Sequence, residues 1–170
     1  MPKTATFLPI EPLSAAAFRP FGEVIEAGSS AAQYTISQGY ATRFHDLATL
    51  DGQADGGRLG LSIFRARPRA LPFQLQVMER HPLGSQAFVA LQASPFLVVV
   101  APPTPRLDMQ QLRCFQTAPG QGVNYARGTW HHPLIALQRE SDFLVLDRCG
   151  GSGNNLDEVD VRALGLWLPA

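Results

Sequence analysis

The sequence predicts a mainly β fold, an antiparallel barrel or sandwich with a few short helices. Three observations predict it. From residue 58 onward apolar side chains recur with period two, the repeat of a strand with one buried face. Seven or so short apolar runs are bounded by turn residues every 8–12 positions. Glycine and proline together make up 29 of the 170 residues and punctuate the whole chain rather than pooling in one tract. No long helical pattern alternates with the strands, which excludes a parallel α/β sheet. The length suits one domain, residues 1–170.

Composition narrows the function classes. Fourteen basic and fourteen acidic side chains cancel, and charged residues are only 16% of the chain. A nucleic-acid binder should carry a basic excess, so that class is not expected. The longest apolar run, Phe96–Ala101, is far too short to span a bilayer, so no membrane partner is expected either. The stretch Met1–Thr6 lacks the basic region and apolar core of a secretion signal. Two cysteines, Cys114 and Cys149, could pair but do not make a disulfide framework. A reduced, cytoplasmic protein is the expectation.

The elements follow in order. Ser14 caps a short helix over 15–18, stopped by Pro20. Residues 28–57 are small and polar and interrupt the pattern around an island, Arg43–Leu47. In the run 59–65, Leu59, Leu61 and Ile63 occupy one face, followed by Arg65. In 73–81, Phe73, Leu75 and Val77 share a face with Glu79 and His81. Both strands are expected to turn these faces inward, each becoming polar at its end. Further strands are expected at 85–91, 96–101, 111–116, 132–137 and 142–147. Thr104–Pro105 opens a single helical turn. The stretch 150–155, rich in Gly and Asn, reads as a flexible connection to a C-terminal segment ending at Trp167.

Chemistry is expected where polar groups stand on core-facing stripes. Two charged groups on such a stripe must be paired or line a cavity. Arg65, Glu79 and His81 are therefore expected to converge at the open mouth of the barrel, a common place for a small-molecule site. A buried pair between Glu79 and Arg65 is the plainer alternative. His131 and His132 are neighbours on a strand, so only one of them can enter a given cavity and the other belongs at the rim or surface. His45–Asp46 could be an oriented acid–base pair or an anchor for the 28–57 segment. Cys114 reads as a small buried hydrophobe. Arg148 could hold a substrate carboxylate, or pair with Asp147 or Asp142. Met78, Met109 and the phenylalanines read as core or as a dimer interface.

Spacing adds a second signal. Cupins, small β-barrels, carry one motif of the form G-x5-H-x-H-x4-E and another of the form G-x5-P-x-G-x2-H. Glu79-x-His81-x4-Gln86 resembles the first, with Glu for the leading His and Gln for Glu. Gly120-x5-Ala126-x-Gly128-x2-His131 resembles the second, with Ala for Pro. The resemblance brings Glu79, His81, Gln86 and His131 together. Such a set could ligate a divalent ion, although a neutral Gln is a poorer ligand than carboxylate or imidazole. It could also work without metal as base, acid and hydrogen-bond donors.

Longer stretches make a closer match. Arg43–Leu47, Glu79–Phe88, Gln121–Tyr125, Trp130–Leu134 and Asp142–Arg148 occur in an order that resembles the ureidoglycolate lyase family, from about residue 7 to about 155. The resemblance implies a cupin-like homodimer of allantoin (purine) degradation that splits ureidoglycolate into glyoxylate and urea. In that reading Glu79, His81 and His131 supply base and acid. Arg65 holds the substrate carboxylate with its two-pronged guanidinium, and Gln86, Asn124 and Tyr125 orient the ureido group. An amidohydrolase releasing ammonia and a non-enzymatic small-molecule sensor are the alternatives.

Overall fold

A computed structural model describes residues 5–28 and 30–170. The reading of Met1–Thr4 as free of a leader lies outside the described residues. The elements are β1 (Thr6–Phe7), β2 (Ile10–Pro12), α1 (Ala15–Phe18), β3 (Gly22–Ile25), β4 (Ala32–Ile36), β5 (Ala41–His45), β6 (Arg58–Ala66), β7 (Phe73–Gln74) and β8 (Val77–Arg80). They continue with β9 (Gln86–Ala90), β10 (Phe96–Ala101), β11 (Arg113–Gln116), β12 (Gly122–Tyr125), β13 (Trp130–His131), β14 (Ile135–Ala136), β15 (Ser141–Cys149), β16 (Asp157–Asp160) and β17 (Leu166–Leu168). Ser14 caps α1 as expected, its hydroxyl accepting from the Ala17 N–H.

The strands form three layers. A five-stranded sheet, ordered β3-β12-β9-β15-β6, faces a larger sheet ordered β16-β8-β13-β10-β11-β2, with β14 also on β10. A small sheet, β1-β17-β7, covers the far side. Strand β10 explains the layering. All six of its residues are buried, because one row of its side chains meets each neighbouring layer. Phe96, Val98 and Val100 join Phe88, Val123, Phe143 and Val145 in the inner core. Leu97, Val99 and Ala101 join Leu75, Met78, Val161 and Leu168 in the outer one. Most pairings are antiparallel, but β1–β17 and β2–β11 are parallel. Both involve N-terminal strands that add to an edge after a long excursion.

Five expectations need correction. The period of β6 is as read, but its phase is reversed. Leu59, Leu61 and Ile63 are 36%, 66% and 53% exposed, and Gly60 is buried instead. This strand is an edge of the five-stranded sheet, and its odd row lies on the outer face. The run 73–81 is not one strand. The chain leaves the small sheet after Gln74 and enters the large one at Val77, so the alternation restarts and Met78, not Val77, is fully buried. Residues 32–45 form a hairpin, β4–β5, where no strand was expected. Thr104–Pro105 opens no helical turn; a 3-10 turn forms at Met109–Gln111, where the Asp108 carboxylate accepts from the Gln110 N–H. The expected strand 132–137 is the shorter β14.

Both cysteines are free. Burial pushes the Cys114 thiol up to about 12, which suits the buried hydrophobe expected there. Among the described residues no helix is long and apolar enough to cross a membrane.

Phe143 tests the inner core. It is fully buried, with Phe96 edge-on at 5.1 Å. Phe143→Ala is expected to lower the unfolding free energy by about 3–5 kcal/mol in urea denaturation. A loss below about 1 kcal/mol would show that the two sheets do not pack across this ring.

Candidate active site

The register of β13 places the site. His131 pairs with Val100 on one side and Glu79 on the other, so all three side chains point between the two large sheets. Trp130 and His132 point the opposite way. Trp130 enters the outer core, and His132 packs edge-on against Phe73 at 5.4 Å. The two adjacent histidines thus divide between faces, as the period requires. His132 is not at the surface, however; it is only 4% exposed.

Glu79, His81 and His131 gather at one end of the inner core. One ligand atom from each lies within 4.8 Å of the others, an arrangement that could hold a metal ion. The His81 and His131 rings are 5.2 Å apart, and Tyr125 stacks on His131 at 4.3 Å. The adjoining recess, about 360 Å³, is lined by Phe64, Ala66, Phe88, Pro133 and Leu134 with Glu79, Gln86 and Arg65.

Backbone carbonyls fix the protonation pattern. His81 Nδ1 lies 2.8 Å from the Asn155 carbonyl, and His131 Nδ1 lies 2.9 Å from the Thr129 carbonyl. A carbonyl only accepts, so each Nδ1 carries the proton and donates it. Each Nε2 is buried and, among the described residues, without a hydrogen-bond partner. Burial drives the His131 pKa down against the pull of Glu79, which keeps the ring neutral. Burial opposes the charge on Glu79 most, but the contact with His131 leaves its carboxyl below the ordinary value. Glu79 Oε1 faces His131 Nε2 at 3.4 Å. Two acceptors at that distance repel unless a proton or a cation stands between them.

The remaining expected site residues separate. Gln86 faces inward on β9, and its Nε2 donates to Asp147 at 3.1 Å. Tyr125 is inward and buried, and burial raises its pKa far above the usual phenol value. Asn124 points to the other face of the sheet, donating to Glu23 and to the Thr49 carbonyl beneath the 46–51 segment. Arg65 lines the rim of the recess, but its guanidinium makes a bidentate pair with Asp142 at 2.7 and 3.0 Å on the outer side. It does not meet Glu79 or His81, because its row of β6 faces out. His45 packs edge-on against Tyr34 within the hairpin and lines a separate recess with Val24, Glu26 and Leu47. Among the described residues Arg148 meets no carboxylate; it donates to the carbonyls of Ala54 and Ser152.

Sequence reasoning missed two kinds of support. The 150–155 connection is tied down rather than loose. Asn155 accepts from His81 through its carbonyl and from the Leu83 N–H through its side chain. Gly151 permits this, since a Cβ there would sit 2.5 Å from the Arg148 guanidinium in a backbone of positive φ. The second miss is Asp147. It continues the inward row Phe143, Val145, and an acidic residue ending an apolar row is the same signal that marked Glu79.

A β-sandwich with a Glu–His–His cluster opening onto a small, mostly apolar recess is the framework of a small-molecule enzyme or ligand-binding protein. Comparison with known proteins supplies the family. The ureidoglycolate lyase family model matches residues 5–166. A ureidoglycolate lyase of Burkholderia mallei is 55% identical over 161 residues, 95% of this chain and 92% of that one. Counterparts from Azotobacter vinelandii and Pseudomonas aeruginosa are 51% and 48% identical, each over 89% of this chain and 90% and 88% of theirs. A solved oxalate decarboxylase of Bacillus subtilis, with Mn(II) centres, shows a partial likeness with a TM-score of 0.37 and 10% identity, covering 66% of this chain and 30% of that one. The chain belongs to the ureidoglycolate lyase family.

Acid should weaken the fold through His132. Burial lowers its pKa from 6.5 to about 4. Between those values the unfolded chain binds the proton and the folded chain does not, so stability falls as pH drops from about 6.5, and this loss is complete just below about 4. It amounts to about 3 kcal/mol. His132→Gln is expected to remove that share of the pH dependence in urea melts at pH 7 and pH 4. An unchanged slope would mean His132 is protonated in the folded chain.

Proposed function

We propose that the lumen cleaves ureidoglycolate to glyoxylate and urea. One observation carries the chemistry: two histidines, each held through Nδ1 by a backbone carbonyl, present unpartnered Nε2 atoms beside a half-buried carboxylate. The family to which the chain belongs supplies the substrate.

Ureidoglycolate carries a hydroxyl and a urea nitrogen on the same carbon, so elimination needs a base, an acid and a grip on the carboxylate. His81 Nε2 takes the hydroxyl proton as the oxygen closes to the carbonyl of glyoxylate. The carbon–nitrogen bond electrons leave with urea, whose nitrogen takes the proton that His81 Nε2 has just accepted, which returns the site to its starting state. The Glu79 carboxylate, beside His131, stabilises the His81 imidazolium between the two transfers. Arg65 at the rim takes the substrate carboxylate. Its pair with Asp142 is surface-exposed and therefore weak, so exchanging partners costs little. Gln86 receives the ureido end, and Tyr125 braces the His131 ring.

The same atoms fit a divalent ion. Glu79, His81 Nε2 and His131 Nε2 would hold it, with Gln86 Oε1 as a weaker fourth donor. When bound, such an ion lowers the pKa of a coordinated hydroxyl.

The reading extends to a place in allantoin degradation in the cytoplasm, where two free cysteines stay reduced, and to a homodimer. Leu59, Leu61 and Ile63 expose an apolar row on the outer sheet face, the kind of surface that self-association covers. Light scattering is expected to give twice the chain mass of 18.5 kDa.

NMR of racemic ureidoglycolate with the purified protein is expected to show glyoxylate and urea, no ammonia, and half the substrate left. Glyoxylate with ammonia in place of urea would make the protein an amidohydrolase; binding without turnover would make it a sensor. Glu79→Gln and His131→Ala are each expected to lower kcat by about 10²–10⁴. Full activity in either removes that residue from the mechanism. If a metal is resident, chelation abolishes turnover and one divalent ion restores it; activity indifferent to chelation leaves the acid–base route alone.

A further inference from the structure

The five-stranded sheet carries one polar row across its inner face. Tyr125, Gln86, Asp147 and Gly60 stand opposite one another on β12, β9, β15 and β6. Within that row Gln86 is only 6% exposed. Its amide has two unlike ends, and burial makes the choice between them matter. Asp147 makes that choice. An ionised carboxylate accepts and cannot donate, so the amide end lying 3.1 Å from Asp147 Oδ2 must be the NH2. The other end, Oε1, is thereby turned away from Asp147, buried and without a partner. It belongs to a side chain that lines the same recess as Glu79.

We infer that Asp147 is a positioning residue that sets the selectivity of the lumen: by holding the Gln86 amide N–H, it aims the Gln86 carbonyl at the substrate and makes this wall a receptor for an N–H donor. This rests on the reading of the lumen as a ureidoglycolate site. The substrate's terminal –NH2 is such a donor. A ligand with an ester oxygen in its place brings no N–H at that end and leaves a buried acceptor unsatisfied, which is penalised heavily. Without Asp147 the amide can turn over and offer N–H instead, and the preference goes. The rest of the row supports the geometry. Gly60 has no side chain to crowd Asp147, and a Cβ there would lie 2.2 Å from Cys149 Sγ. The Cys149 thiol sits 4.0 Å from the other Asp147 oxygen.

The test compares two substrates, ureidoglycolate and its analogue with methoxy replacing the terminal amino group. Asp147→Ala is expected to lower the ratio of their kcat/KM values about tenfold or more, through a higher KM for ureidoglycolate. Asp147→Asn can still accept through its amide oxygen and is expected to retain most of the preference. In a Gln86→Leu background, Asp147→Ala is expected to change the ratio no further, because Asp147 acts through Gln86. Equal losses on both substrates, or an undiminished effect in the Gln86→Leu background, would overturn the inference and leave Asp147 a structural residue. If the unaltered protein does not turn over ureidoglycolate at all, the substrate reading fails first and takes this inference with it.

Discussion

Strand β10 is the constraint from which the other layers follow. Its two faces are both dry, so a sheet must cover each. The five-stranded sheet does so on one side and the small β1-β17-β7 sheet on the other. The strands of its sheet inherit the same division, β13 directly and β8 through β13. On β13 it sends His131 into the lumen and Trp130 and His132 into the outer core. On β8 it sends Met78 outward and Glu79 inward. The cluster is therefore a product of strand parity. A one-residue slip of β13 against β10 would exchange the two histidines and dissolve the site.

Burial and reactivity meet in the same residues. Water is excluded around His131, so its ring stays neutral and its Nε2 remains a lone pair at physiological pH. The Nδ1 hydrogen bonds to backbone carbonyls prevent the alternative tautomer, in which Nε2 would carry the proton and be useless as a base or ligand. Glu79 is half-buried, and its charge is tolerated there because His131 and His81 stand beside it. The price is local electrostatic tension across the 3.4 Å gap to His131, which a proton or a cation relieves.

Much of this was legible in the sequence, and the failures have physical causes. Phe96–Ala101 announced a strand buried on both sides. Glu79 and His81 announced themselves as charge at the end of an apolar run, and the spacing to His131 announced convergence. The inward phase assigned to β6 failed because an exposed apolar row and a buried one have the same period; only the sheet partner distinguishes them. Val77 and Met78 changed places because no residue type marks where a chain passes from one sheet to another. Arg65 inherited the error of β6. The hairpin β4–β5 was invisible because its residues are mostly polar and exposed and bury no stripe. Asn155 and Thr129 act through backbone carbonyls, which side-chain identity does not reveal.

The tie between His81 and Asn155 has a further consequence. The carbonyl that fixes the His81 tautomer belongs to a glycine-rich surface loop, held by Arg148 and by the bond from Leu83 to the Asn155 side chain. Surface loops open locally far more often than cores unfold globally. Each opening frees Nδ1 to lose its acceptor and the ring to turn. The fraction of molecules that are competent at any moment is therefore governed by the opening free energy of residues 150–155, a quantity to which hydrogen exchange in that loop is sensitive and a melting temperature is not. Two proteins of this family with equal thermal stability can thus differ in the share of sites that are ready to react.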